Sequence, residues 1–226
     1  LTDEYRNNLK YMPKYKYMQL IDGNWDIQLK SGGEFYKCFE LEEHVKDCNY
    51  DTKSPLHISF DENVNPYLPL GIFQIEYRKV NDITFKVIKQ IGEIAGVNPS
   101  NTIKQVCKEF IRLFPNHDAG LFIYGDATSQ KADVKIEKGH NFFVLIREEL
   151  KQYKPQLRVA TSNPSVVMRG NFINTVMESN FDDIVIEIDQ SCKKSINDFV
   201  KVKEAEDGTK AKEMGVDPVS KVRCQL

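Results

Sequence analysis

Two aspartates stand at the ends of apolar, β-type runs, and each is followed by small or polar turn residues. They are Asp61 in Leu56-His57-Ile58-Ser59-Phe60-Asp61-Glu62-Asn63-Val64-Asn65-Pro66 and Asp126 in Leu121-Phe122-Ile123-Tyr124-Gly125-Asp126-Ala127-Thr128-Ser129. In a parallel or mixed sheet the carboxyl end of a strand is where side chains leave the packed core and face a crevice. Two such strands side by side would aim two carboxylates at one point. Close carboxylates repel, and a divalent cation relieves the repulsion. Taken alone, an aspartate after a strand is more often a turn former or helix N-cap than a metal ligand, so the order of the elements around them decides.

That order becomes regular from residue 56. Residues 57–60, 70–77 and 83–91 read as strands, and the short turns between them predict an antiparallel meander. Asn98-Pro99-Ser100-Asn101 supplies turn and N-cap residues for a helix over 102–113, where Ile103, Val106, Phe110 and Leu113 share one face. A fourth strand at 121–124, a helix over 141–153 and a fifth strand at 157–160 follow. A helix after Asn163-Pro164, a strand at 184–188 and a last helix at 193–204 complete the order. Three meander strands followed by alternating helices and strands is the layout of the ribonuclease H-like fold, an α/β architecture with a mixed central sheet flanked by helices. Its first and fourth strands are neighbours, so Asp61 and Asp126 meet as a candidate metal site. Phosphodiester hydrolysis needs an activated water and a stabilised leaving oxygen, and two divalent ions roughly 3.5–4 Å apart between carboxylates supply both. No nucleophilic side chain is required.

With 226 residues and 41% hydrophobic content the chain can bury a full core, in one large domain or a domain with a small appendage. No stretch approaches the roughly 18 apolar residues of a membrane span, and Leu1-Thr2-Asp3-Glu4-Tyr5-Arg6 has neither an initiator Met nor a signal-peptide pattern, which suggests a fragment of a longer protein. Cys38, Cys48, Cys107, Cys192 and Cys224 are odd in number, widely spaced and free of a CxxC pair. That argues against a zinc site or a disulfide framework and fits a reducing cytoplasm. A net charge of −2 says little about partners, although Lys and Arg recur throughout and could line a groove.

Residues 1–50 read as a linker or subdomain and residues 51–226 as the α/β domain. The stretch 1–16 is polar, with Tyr11 and Tyr15 among basic residues. Trp25 follows an Asp-Gly-Asn turn and is expected to be a packing anchor that pins the linker rather than a binding platform. Ser31-Gly32-Gly33 is a flexible break, and 34–50 reads as a charged, partly helical connector.

Leu20-Ile21-Asp22-Gly23-Asn24-Trp25 ahead of Phe60-Asp61-Glu62-Asn63-Val64-Asn65-Pro66, Tyr124-Gly125-Asp126-Ala127 and Val167-Met168-Arg169-Gly170-Asn171-Phe172-Ile173-Asn174 resembles the C-terminal nuclease part of a bacteriophage terminase large subunit. The resemblance spans nearly the whole chain, including the linker that joins an N-terminal packaging ATPase to the nuclease. It implies that Asp61 and Asp126 bind catalytic Mg2+ or Mn2+, two ions in the complete site, and that the substrate is double-stranded DNA with weak sequence preference. It implies cutting of concatemeric DNA during genome packaging, in the cytoplasm of an infected or lysogenic bacterium. The alternatives are a DNA-clamping or docking module of the packaging motor with little activity alone, or another ribonuclease H-like nuclease such as a resolvase or exonuclease, against which the linker resemblance argues. The ATPase domain, the small terminase subunit and the portal would be the partners, and no membrane is involved. In that family a third acidic residue arrives on a later helix, which is expected beyond Leu226. Asp217 is the only late acidic residue that could substitute, and Pro218 after it points to a turn.

Further residues carry two readings each. Arg169 is either a DNA-backbone contact, like the family's Arg near the groove, or a structural salt bridge. Lys131, with Thr128, Ser129 and Gln130, either contacts phosphate or belongs to a polar loop approaching a helix. Glu62 either holds a metal-bound water or is a turn residue, and Glu76 reads better as a solvated strand residue than as a ligand. His117 and His140 are lone histidines without a Cys or Asp partner. No Gly-rich loop ending in Gly-Lys-Ser or Gly-Lys-Thr is present, so ATP hydrolysis is not expected of this chain. Residues 201–212 read as a charged helix end and a solvated hairpin or flap.

Overall fold

The computed structural model describes residues 14–27, 30–62, 67–130 and 141–211. Among them one mixed sheet holds β1 (Val45–Lys46), β2 (Leu56–Phe60), β3 (Tyr67–Val80), β4 (Ile83–Val97), β5 (Leu121–Gly125), β6 (Gln156–Leu157) and β7 (Ile184–Asp189). Their spatial order is β1-β7-β4-β3-β2-β5-β6. The middle of the sheet is the expected antiparallel meander of β2, β3 and β4, while β5 joins β2 and β7 joins β4 in parallel. The helices are α1 (Lys14–Leu20), α2 (Leu41–His44), α3 (Ile103–Leu113), α4 (Phe142–Glu149), α5 (Val166–Ser179) and α6 (Lys193–Lys201).

Alternation along the strands decides which face each residue takes. Leu56, Ile58 and Phe60 of β2 and Leu121 and Ile123 of β5 are buried together under Val106, Cys107 and Phe110 of α3 and Phe142, Phe143 and Ile146 of α4. Both helices start where a side chain satisfies a free backbone donor. Thr102 accepts from the Gln105 N–H at 3.3 Å, and Asn141 accepts from the Val144 N–H at 3.0 Å. The residues between, His57, Ser59, Phe122 and Tyr124, therefore face the other side of the sheet. On that side a second core forms from Ile188, Met177, Ile196 and Phe199.

The second core draws on the stretch read as a linker and a charged connector. Met18, Ile27, Phe35, Tyr36 and Phe39 are buried in it, and the rings of Phe39 and Phe199 stack with centroids 5.0 Å apart. Burying a ring of that size contributes about 1.5–3 kcal/mol, so this stretch is held down strongly. Residues 34–50 hold only the short α2 and then β1, which extends the sheet beside β7. Trp25 is not the expected anchor: it is 69% exposed, and Met18 and Ile27 on either side of it are fully buried instead.

Several boundaries differ from the sequence reading for local reasons. β3 and β4 are longer than expected because, past the residues bound by β2 and β7, they pair only with each other as a ribbon. At its far end, residues 78–80, the ribbon is exposed and apolar alternation fades, whereas at the near end Tyr67, Leu68 and Ile94 stay buried. The helix expected to reach 153 stops at Glu149 and yields to a tight turn at Lys151–Tyr153. Pro155 disfavours helical geometry at Lys154, which takes a positive φ of 51°. β6 is two residues long rather than four. The last helix stops at Lys201 because Val202 turns extended and buries itself in the second core.

Candidate metal centre

β2 and β5 run side by side in register, with Phe60 opposite Gly125. Neighbouring strands lie about 4.8 Å apart, and the next residue of each is an aspartate, so Asp61 and Asp126 leave the sheet from adjacent strand ends. Phe60 points into the first core, which puts Asp61 on the opposite face; Asp126 follows Tyr124 on the same face. Gly125 is required for this. A Cβ there would stand 2.6 Å from the Phe143 ring and 3.0 Å from the Phe60 carbonyl oxygen. Asp61 remains tied to the sheet, its N–H donating to the Pro69 carbonyl at 3.4 Å.

Asp126 is held by three donors on a single oxygen. Its Oδ1 accepts from the Thr128 N–H at 2.7 Å, the Thr128 hydroxyl at 2.5 Å and the Asn163 amide at 2.6 Å. Among the described residues no recorded hydrogen bond falls on Oδ2, which leaves that oxygen for a cation. Burial opposes the charge on Asp126. The bonds from Thr128 and Asn163 and the nearby Arg169 guanidinium outweigh it and hold the carboxyl below the usual range. An ionised, oriented carboxylate beside a second one is the donor type that Mg2+ or Mn2+ takes. The pair fits part of such a site.

Arg169 is exposed in the first turn of α5, where Ser165 caps the helix by accepting from the Met168 N–H at 3.2 Å. Lys131, His140 and Asp217 lie outside the described residues. Glu62 is exposed next to Asp61. Glu76 lies well along β3 from the site and pairs with Arg78 at 3.2 Å and Lys89 at 2.9 Å, a structural role. Neither His57 nor His117 is placed as a base for the pair. His57 stands four residues, about 13 Å, back along β2, stacked against Phe122 and 3.0 Å from the Tyr124 hydroxyl. His117 is buried between the Tyr50 hydroxyl at 2.8 Å and the Gly120 carbonyl at 2.9 Å.

Beside Pro69 a cleft is lined by Tyr67, Glu93, Lys194, Ser195 and Asp198. Glu93 is spent on capping α6, accepting from the Lys194 and Ser195 N–H groups at 2.8 and 2.9 Å. Among the described residues no group of three or more His, Cys, Asp or Glu side chains is placed to hold a metal. One group has a different role from its sequence reading, and one escaped that reading. Thr128, read as a phosphate contact or polar-loop residue, bonds Asp126 itself, and Asn163, read only as a turn residue before a helix, bonds the same oxygen from the loop ahead of α5. The Asn-Pro turn signal was visible; its partner 37 residues away was not.

No family model matches the chain, and no curated protein matches it. Solved structures do. The large terminase of a thermophilic bacteriophage superposes with a TM-score of 0.51 at 15% identity over 93% of this chain and 48% of that one. The same terminase in complex with ATP-gamma-S gives 0.52 at the same identity and coverage. The P22 large terminase nuclease domain gives 0.52 at 12% identity, over 82% of this chain and 86% of that domain. The chain thus spans about half the length of the thermophilic phage's large terminase. At these identities the likeness establishes the fold, which is ribonuclease H-like as the order of elements implied, and the neighbours are of the kind that the sequence motifs resemble.

Proposed function

We propose that this chain is a divalent-metal-dependent DNA endonuclease, the nuclease part of a phage terminase large subunit that cuts concatemeric double-stranded DNA during packaging. The observation that carries the reading is the register of β2 and β5, which sends Asp61 and Asp126 off adjacent strand ends on one face. Asp61 and Asp126 would hold Mg2+ or Mn2+. When bound, such ions supply Lewis-acid stabilisation of the charge that develops on the phosphodiester and its leaving oxygen. The chain's own part is to keep Asp126 ionised through Thr128 and Asn163 and to offer Arg169 to the DNA backbone beside it. Lys131 belongs to the same proposal as a second phosphate contact. The ATPase domain, the small terminase subunit and the portal are the proposed partners, in the cytoplasm of the bacterial host. Among the described residues no helix is long and apolar enough to cross a membrane.

Supercoiled plasmid incubated with Mn2+ or Mg2+ tests the reading. Nicking and linearisation that a chelator abolishes are expected, and intact plasmid at high protein concentration would overturn it. A second reading, a DNA-clamping module of the packaging motor with little cutting of its own, is favoured by the lack of a third carboxylate among the described residues. Binding of duplex DNA without cutting in either metal is the outcome that selects it.

A further inference from the structure

Asn163 touches Asp126 and the backbone that follows it. Its amide nitrogen donates to Asp126 Oδ1 at 2.6 Å, and its carbonyl oxygen accepts from the Ala127 N–H at 2.9 Å. The candidate ligand and the backbone after it are therefore gripped by one side chain. Two residues on, Ser165 caps α5, and the Arg169 N–H bonds the Ser165 carbonyl at 3.0 Å. Asn163, the cap and Arg169 thus stand within seven residues of one another, at the corner where α5 begins. Further along, α5 is fastened to the second core: Gly170 packs against the Phe35 ring, and Asn174 donates to the Phe35 carbonyl at 2.8 Å and accepts from the Cys38 N–H at 3.2 Å.

We infer that Asn163 is a positioning residue that couples phosphate binding at Arg169 to metal binding at Asp126. This rests on the nuclease reading above. DNA that engages Arg169 settles the corner of α5 in one place, and through Asn163 it fixes the Asp126 carboxylate, whose Oδ2 takes no hydrogen bond among the described residues. A metal ion on Asp126 fixes the same corner from the other side. The two ligands must then strengthen each other by equal factors, because coupling between binding sites is reciprocal. Thr128 holds the same oxygen of Asp126 but belongs to the loop after β5, so it orients the carboxylate without reaching α5.

The test measures affinity for a short duplex bearing phosphorothioate linkages, which reports binding without cutting, by fluorescence anisotropy with and without saturating Mn2+. The wild-type protein should bind the duplex about fivefold or more tightly with Mn2+. Asn163→Ala should lower that factor below about twofold while its metal-free affinity for the duplex stays near wild type. Thr128→Val should weaken Mn2+ binding yet keep the wild-type factor. Should Asn163→Ala fail to fold, Asn163→Leu keeps the side-chain volume, deletes the donor to Asp126 without adding a charge or a metal ligand, and carries the same expectation. A wild-type factor in the Asn163 variant, or its loss in Thr128→Val as well, overturns the coupling and leaves the nuclease reading standing. A wild-type protein that binds neither Mn2+ nor the duplex overturns both.

Discussion

Phe60 of β2 faces Gly125 of β5 across a parallel pair, and this one alignment makes Asp61 and Asp126 neighbours. The two residues have opposite duties: Phe60 fills the first core, and Gly125 leaves room for Phe143 to do so. Close packing beneath the strand ends is therefore what places two charged groups above them.

If the carboxylate pair binds the catalytic ions, Asp61→Asn and Asp126→Asn should each cut plasmid DNA at least about a hundredfold more slowly, since even partners of metal ligands are worth about 10–100-fold. The fold should persist. Repulsion between the two carboxylates in the metal-free protein means that Asp61→Asn should leave the melting temperature level or raise it, whereas Asp126→Asn should lower it, because the fold holds the Asp126 carboxyl below its usual range. Cutting at the wild-type rate by either variant would remove that residue from the site.

Arg169 stands exposed beside Asp126, and a phosphate contact there adds to affinity by releasing counterions whatever the bases are. Affinity for duplex DNA should fall steeply with salt and depend little on sequence. In Arg169→Ala the slope of log affinity against log salt should be shallower by about 0.9, the contribution of one phosphate contact. A slope equal to that of the wild-type protein would assign Arg169 to structure alone.

The aspartates were legible in the sequence because their signal is local: four or five alternating residues, then a turn. The fold was legible for the same reason, since each strand and helix from residue 56 onward carries its own periodicity. What could not be read is long-range. Asn163 looks like any residue before Pro164 until α5 packs and brings it to Asp126. Phe35, Tyr36 and Phe39 sit among glycines and charges, so no period marks them, yet Phe199 of α6 packs on Tyr36 and Phe39 and Gly170 of α5 on Phe35. Trp25 misled in the opposite direction, because size favours burial on average but does not decide it at a turn.

Gly125→Ala tests the packing that positions the pair. The added methyl meets the Phe143 ring and the Phe60 carbonyl at distances that real side chains do not tolerate, so the ring or the strand end must shift. Overpacking of this kind costs about 1–3 kcal/mol, readable as a lower urea midpoint with an unchanged slope. Metal-dependent cutting should fall with it, because the carboxyl group of Asp126 moves with its backbone. An unchanged midpoint would mean that Phe143 yields freely and that Gly125 is not required.

Glu34 provides a pH-dependent clasp between the N-terminal stretch and the segment after α6. It is buried, and although burial alone would raise its pKa, the Lys203 ammonium at 2.6 Å and the Ser31 N–H at 2.8 Å, with the Gly32 N–H at 2.9 Å, bring it down to about 2. A depressed carboxyl contributes stability that is fully present above its unfolded value of 4.5 and is lost as pH falls through the folded value. Glu34→Gln should therefore cost about 2–3 kcal/mol at pH 7, measured by urea denaturation. The difference from wild type should stay constant down to about pH 5 and close progressively toward pH 2. The same series at high salt should shrink it, because the Lys203 partner is 40% exposed and open to screening. A difference that did not change with pH would show that the clasp acts through shape and hydrogen bonding rather than through the charge on Glu34.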